Sequence, residues 1–204
     1  MSDVVVWAVD IGSVMKNRFG WCRREDEAQN SGHDIQDLVL GVVADLAQGK
    51  RVALGFECPL FVPITADPKS LTRARIGEGS SPWSAGAGCG ALATGLSETV
   101  WILERIRRTV TVPVIPTFDW AIFGGGSANF CLWEAFVTGA AKGITHLNDA
   151  EIAALMFWQN LGDIPGANAV EAEAPYSLIG AALLRAGMTT DLRVLFEPCV
   201  VIRA

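Results

Sequence analysis

Short apolar runs and stretches of helical spacing alternate along the chain, and this pattern predicts an α/β protein. The opening run VVVWAVD is rich in β-branched residues and predicts a buried strand that ends at Asp10. A second strand is predicted over residues 19–23. After Asp34, a suitable N-cap, apolar residues recur at helical spacing as far as Gly49. Residues 51–56 form another apolar strand, so this order implies a right-handed parallel crossover.

The later elements are predicted from the same periodicities and from turn residues. Residues 61–95 are rich in Gly, Ser and Pro and predict a flexible, lid-like insertion. Asn148 is predicted to cap a buried helix, with Glu151 completing a capping box. The other predicted elements are a helix from Ser97 to about residue 108, strands at 112–116 and 130–137, a helix over 176–186 stopped by Gly187, and an edge strand over 193–202.

Length and composition narrow the class of protein. The chain has 204 residues, half of them hydrophobic, which suits a single domain spanning residues 1–204. No apolar run approaches the length of a membrane span and no basic leader is present, so we expect a cytoplasmic protein without a membrane partner. The five cysteines are scattered and predict neither disulfides nor zinc. The net charge of -6 disfavours tight duplex binding by this chain alone.

Three acidic residues stand where an open α/β sheet concentrates ligands. Asp10 and Glu57 follow two predicted strands at their carboxyl ends, and Asp149 lies in the predicted first turn of a buried helix. Asp149 shares a helix face with Ile152, Ala153 and Met156, whereas Glu151 points about 160° away. We therefore expect the first three acids to converge.

Crowded carboxylates repel one another, and hard divalent cations neutralise them best. The three acids therefore predict a site for Mg²⁺ or Mn²⁺. Two such ions roughly 4 Å apart orient water and stabilise the leaving oxygen in nucleases. Hydrolysis of a phosphodiester is the reaction that this chemistry favours.

Several segments resemble the RNase H-like superfamily, and more specifically a group of predicted RNase H-like nucleases from microbes. VDIGS followed by FGW resembles the opening hairpin of that group, GFECPLFVP its second acidic strand, and LWEAF a later strand, although the usual following Pro is missing. HLNDAEIAA is similar to the closing motif of the Holliday-junction resolvase branch. The resemblance implies a mixed sheet flanked by helices. It also implies a third antiparallel strand, yet the polar residues 24–33 give no strand signal.

The resemblance also assigns roles to individual residues. It implies that Asp10, Glu57 and Asp149 are metal ligands, and that His146 assists proton transfer or orients the substrate. It gives Glu134 a supporting position at the substrate. Arg73 and Arg75 resemble arginines that face the substrate phosphate.

Each of these residues also has a purely structural explanation. Asp10 suits the turn at Gly12, Glu57 suits an exposed strand end, and Asp149 at the first helical position would stabilise the helix dipole. His146 suits an exposed loop. Arg73, Arg75 and Glu134 suit ordinary surface or strand positions.

Three classes of function remain open from the sequence. The first is a metal-dependent phosphodiesterase or nuclease acting on DNA or RNA, with a homodimer as one source of the missing positive surface. The second is a non-catalytic interaction protein on the same fold, which the acidic charge favours. The third is a distant relative of actin-like ATP-binding proteins, because VDIGS also resembles their first phosphate loop. The length of 204 residues leaves no room for the second lobe of that class.

Overall fold

A mixed β-sheet with helices on both faces forms the fold, as the α/β prediction required. The structure is a computed structural model and describes residues 3–204. The strands are β1 (Val4–Asp10), β2 (Gly20–Glu25), β3 (Ala28–Gly32), β4 (Arg51–Phe56), β5 (Phe61–Pro63), β6 (Pro116–Thr117), β7 (Phe130–Phe136), β8 (Pro175–Ser177) and β9 (Val201–Arg203). The α-helices are α1 (Ile35–Ala47), α2 (Gly86–Thr109), α3 (Trp120–Gly124), α4 (His146–Gln159) and α5 (Leu178–Ala186).

The main sheet has the order β3-β2-β1-β4-β7-β6, and β9 also pairs with β7. The hairpin strands β2 and β3 are antiparallel to their neighbours, whereas β1, β4, β6, β7 and β9 run parallel. The short strands β5 and β8 form a separate antiparallel pair. This arrangement is consistent with an RNase H-like sheet, and it contains the predicted parallel crossover through α1.

Alternate residues of the central strands supply two separate cores, because successive side chains of a strand face opposite sides. Trp7 and Val9 of β1 pack in the core that also holds side chains of α1, α2 and α5. Val6 and Ala8 pack in the other core, against α4. Asp10 has the same parity as Ala8, so the α4 face is the side toward which its carboxylate is directed.

The polar segment 24–33 does form a strand, so the prediction that it lacks one was wrong. Strand β3 pairs with β2 through a tight turn at Asp26, whose φ is 49°. As an edge strand, β3 exposes most of its side chains, and it therefore carries no apolar alternation. This strand supplies the third antiparallel member that the sequence pattern concealed.

Four helix and strand boundaries also differ from the prediction. Helix α2 begins at Gly86, so Ser97 is no cap; its Oγ donates to the Thr94 carbonyl inside the helix. The true cap of α4 is Thr145, whose Oγ1 accepts from the Asn148 amide at 3.2 Å. Asp149 is therefore the fourth residue of α4 rather than the first, but it still lies in the predicted first turn. The predicted strand over 112–116 is reduced to β6, and the one over 193–202 to β9.

The segment predicted to be a flexible, lid-like insertion includes some regular secondary structure, and its flexibility stays a prediction. Residues 61–95 contain β5, a 3-10 turn at Pro68–Ser70 and the first turns of α2. Within residues 3–204, no helix combines the length and the apolar character that crossing a membrane requires.

Candidate metal centre

Two of the predicted acids come together because β1 and β4 are adjacent parallel strands in register. Val9 of β1 is paired with Phe56 of β4, so Asp10 and Glu57 follow at the same edge of the sheet. The Glu57 amide donates to the Val9 carbonyl at 2.7 Å, which continues the ladder one residue beyond β4. Both carboxylates are directed to the α4 face.

The third acid, Asp149, lies on helix α4, which packs over this edge of the sheet. Asp149 is buried, and its Oδ1 accepts from the Gly143 amide at 2.6 Å. The helix approaches the sheet closely at Gly20 of β2, the partner of Asp10. A Cβ at Gly20 would lie 2.7 Å from the backbone of His146, so only glycine permits this approach without a shift.

The predicted convergence of Asp10, Glu57 and Asp149 is confirmed. One carboxylate oxygen of each lies within 4.8 Å of the other two. Asp10 and Asp149 each have an oxygen in a hydrogen bond, to His146 and Gly143 respectively. The buried Oε2 of Glu57, in contrast, has no hydrogen-bond partner. Buried carboxylate oxygens seldom remain unpaired, so this atom marks a position for a cation or a donor.

The pKa values of two of these acids reflect their burial first and their crowding second. Burial, together with the neighbouring Asp149 and Glu98 carboxylates, raises the pKa of Asp10 from 3.8 to about 8, although Lys142 opposes this rise. Burial and the charge of Asp10 raise the pKa of Glu57 to about 9. The protein alone therefore resists carrying full negative charge here, and a divalent cation would relieve that cost.

Lys142, which the sequence did not single out, supplies positive charge to the cluster. Its Nζ lies 3.6 Å from Glu57 Oε1 and 3.4 Å from Asp149 Oδ2. Burial alone would lower the pKa of Lys142, but the charges of Glu57 and Asp149 raise it overall. The side chain is 48% exposed, so it can leave the acids without unfolding the site. A lone Lys in a short loop offers no sequence signal for this contact.

His146 lies beside the cluster, and the role that the resemblance gives it stays a prediction. Its Nδ1 lies 2.6 Å from Asp10 Oδ2, a distance that requires one proton between the two atoms. Burial, with a further contribution from Lys142, lowers the pKa of His146. The ring is 37% exposed, and Nε2 is the nitrogen that remains for exchange of a proton.

A fourth acid, Glu98 of α2, was missed by the sequence reasoning. Its Oε2 accepts from the Gly12 amide at 3.3 Å, directly after β1. Burial raises the pKa of Glu98 to about 7, against the opposing effect of that amide. Glu98 follows Thr94 and Ala91 on one face of α2. If the start of α2 had been predicted correctly, the helical spacing of these three residues would have shown that they share one face.

Glu134 points away from the acid cluster, because its parity on β7 is that of Phe130 and Leu132. Its carboxylate accepts from Arg75 Nη1 at 2.8 Å and Nη2 at 2.5 Å, and from the Leu60 amide at 2.9 Å. Burial raises the pKa of Glu134, while Arg75 acts in the opposite direction.

Arg75 is an almost fully buried member of the same network. Its Nε donates to Glu78 Oε1 at 2.9 Å, Nη1 also donates to the Phe61 carbonyl, and Nη2 lies 2.8 Å from Glu78 Oε1. All five N–H groups are therefore directed at protein oxygens. Contact between Arg75 and a substrate phosphate stays a prediction that would require one of these bonds to break.

Beside the acid cluster lies a cleft of about 370 Å³. It runs between the carboxyl end of β7, the first turns of α2 and the loop that carries Arg75. Asp10, Glu57, Lys142 and His146 line it, and so do Arg75 and Glu134, whereas Asp149 and the exposed Arg73 do not line it. A role for Arg73 in phosphate binding stays a prediction.

Comparison with known proteins does not assign the chain to a family. No family model matches the chain, and no curated protein or solved structure matches it either.

Proposed function

We propose that this protein is a metal-dependent phosphodiesterase in which Asp10, Glu57 and Asp149 hold Mg²⁺ or Mn²⁺. The observation that carries the proposal is the convergence of these carboxylates within 4.8 Å, from three separate elements. The unpaired Oε2 of Glu57 supports a cation there rather than a closed network of protein hydrogen bonds.

The donor set fits hard divalent cations. Carboxylate oxygens are the protein ligands that Mg²⁺ and Mn²⁺ prefer, and the cluster contains neither a thiolate nor a free imidazole pair that would favour zinc. When bound, such a cation supplies Lewis acidity toward a phosphoryl oxygen and lowers the pKa of water. The RNase H-like resemblance supports a phosphodiester as the substrate.

The side chains around the acids have complementary tasks in this proposal. Asp10 holds the His146 ring through Nδ1, which leaves Nε2 to take up or release a proton at the substrate. Lys142 is 48% exposed, and it can turn from the acids to the negatively charged phosphate. Both residues line the cleft that leads to the cluster.

A hydrolysis assay with matched acid variants tests the proposal. Protein stripped with a chelator is supplied with Mn²⁺ and bis(4-nitrophenyl) phosphate, and the Asp10→Asn variant is compared with Asp37→Asn. Asp37 lies exposed on α1, so its substitution makes the same change of charge away from the site. We expect Mn²⁺-dependent hydrolysis that Asp10→Asn abolishes and Asp37→Asn retains. Hydrolysis that is absent, independent of metal, or equal in both variants would contradict the proposal.

A further inference from the structure

The cleft beside the acid cluster has walls of unequal character, and they indicate which part of a substrate it receives. Its volume of about 370 Å³ lies within the range of small-molecule sites. Asp10 and Glu57 of the acid cluster border it, as do the ion-paired Arg75, Glu78 and Glu134. The remainder of the lining consists mainly of apolar and small side chains from α2, the preceding loop and the end of β7.

Trp83 offers a fixed aromatic surface in this cleft. Its Nε1 donates to the Arg73 carbonyl at 2.9 Å, and its amide donates to Glu78 Oε1 at 3.1 Å. Because Glu78 is itself held by the buried Arg75, the indole is anchored to the network beneath the cleft. An aromatic ring whose N–H is already satisfied has its face left for stacking.

Small residues of α2 leave open space in the same cleft. They are Ala87, Gly88, Gly90, Ala91 and Thr94. A Cβ at Gly90 would meet no atom within 4 Å, so this position borders open volume. A Cβ at Gly88 would lie 2.4 Å from the Pro82 carbonyl, so glycine there lets the Trp83 loop pack against the helix.

The cleft lining has too few free positive charges to bind a long nucleic-acid backbone. The cationic lining residues within the described chain are Arg75 and Lys142, and both are already ion-paired with carboxylates. A bound strand needs several cations along its track. In addition, Ser81 Oγ lies 3.2 Å from Thr138 Oγ1, so the two walls of the cleft meet there. One phosphate at the acids and one uncharged group in the cleft match this lining.

We propose that the cleft binds a single flat, uncharged ring, such as a nucleobase, that is joined to the phosphodiester hydrolysed at the acid cluster. This inference rests on the proposed function and specifies its substrate class. The ring stacks on Trp83 beside the small residues of α2, and its phosphate lies toward Asp10 and Glu57. Small diesters and the end of a single strand both present this chemistry, whereas the interior of a duplex does not.

Two esters with the same leaving group test the inference. Initial rates are measured with Mn²⁺ for thymidine 5′-(4-nitrophenyl phosphate) and for methyl 4-nitrophenyl phosphate. Stacking of one base predicts that kcat/KM is about 5- to 150-fold higher for the thymidine ester. Trp83→Leu and Gly90→Phe should reduce the ratio of the two constants toward one. Ala93→Phe, on an exposed part of α2 outside the cleft, should leave the ratio unchanged.

The outcomes separate the two proposals. Equal kcat/KM for both esters, or a ratio that Trp83→Leu and Gly90→Phe leave intact, would overturn the ring site while the phosphodiesterase stands. Failure to cleave either ester would instead count against the phosphodiesterase itself. A 20-nucleotide single strand distinguishes the source of the ring: mononucleotides released from one end support the inference, and internal cuts as the first products overturn it.

Discussion

The Asp10→Asn substitution probes the cost of the acid cluster in the metal-free protein. Asp10 is buried, and its pKa of about 8 in the folded state exceeds the ordinary value of 3.8. An acid whose pKa is raised by folding stabilises the protein fully at low pH and loses that contribution as pH rises from about 4 to about 8. At neutral pH the asparagine variant avoids this loss.

The size of the expected change in unfolding free energy follows from the same pKa of Asp10. Each pH unit above 3.8 costs about 1.4 kcal/mol, so the wild-type protein loses about 4 kcal/mol at pH 7 relative to acid. Asparagine retains an acceptor for His146, but it leaves a buried amide group unsatisfied, which costs about 1–3 kcal/mol. We therefore expect a net gain of about 1–3 kcal/mol, or about 2–4 °C in Tm for each kcal/mol.

Thermal unfolding in chelator at pH 4.5 and pH 7 measures this effect. The variant should unfold at higher temperature than the wild type at pH 7, and the difference should shrink or disappear at pH 4.5. Addition of Mn²⁺ at pH 7 should raise the Tm of the wild type by more than that of the variant. If the Asp10→Asn protein is instead less stable than the wild type at pH 7, the charge of Asp10 is not a net cost to folding and Asp10 is a structural partner of His146 and Lys142.

Three further substitutions test the roles of Lys142, Arg75 and His146. Lys142→Met should tighten Mn²⁺ binding in calorimetry, because the ammonium competes for two carboxylates 3.4–3.6 Å away; an unchanged Kd would contradict this competition. Arg75→Met should cost about 3–5 kcal/mol in urea unfolding, because it leaves Glu78 and Glu134 buried without their partner; a loss below about 1 kcal/mol would contradict it. His146→Asn should lower kcat by about 10²- to 10⁴-fold with little change in Tm; an unchanged kcat would remove the proton-transfer role.

The acid trio could be predicted because strand order and helix periodicity determine it together. Apolar runs located β1 and β4, and the crossover through α1 made them parallel, so Asp10 and Glu57 had to end at one edge. Helical spacing then selected Asp149 over Glu151, which instead accepts from Ser31 of β3. Each of these inferences depended on buried elements, whose patterns are the strongest.

Features that depend on tertiary contacts could not be predicted from the sequence. Strand β3 is polar because it lies at an edge, and the Gly-rich start of α2 resembles a loop until Pro82 and Trp83 pack against it. The contacts of Lys142 reach the end of β4 and the first turn of α4, and no local sequence pattern connects these positions. Glu134 faces the side of the sheet opposite the acid cluster because of its position within β7. This orientation could be predicted only with the exact boundaries of that strand.

In the proposed site, three carboxylates from separate elements share a divalent cation. Anomalous scattering from a crystal of the protein soaked in Mn²⁺ provides a direct test. We expect a peak within coordination distance of Asp10, Glu57 and Asp149, with Lys142 displaced from the two carboxylates that it contacts. Full loading with Mn²⁺ at other acids and no peak between these three would contradict the proposed site.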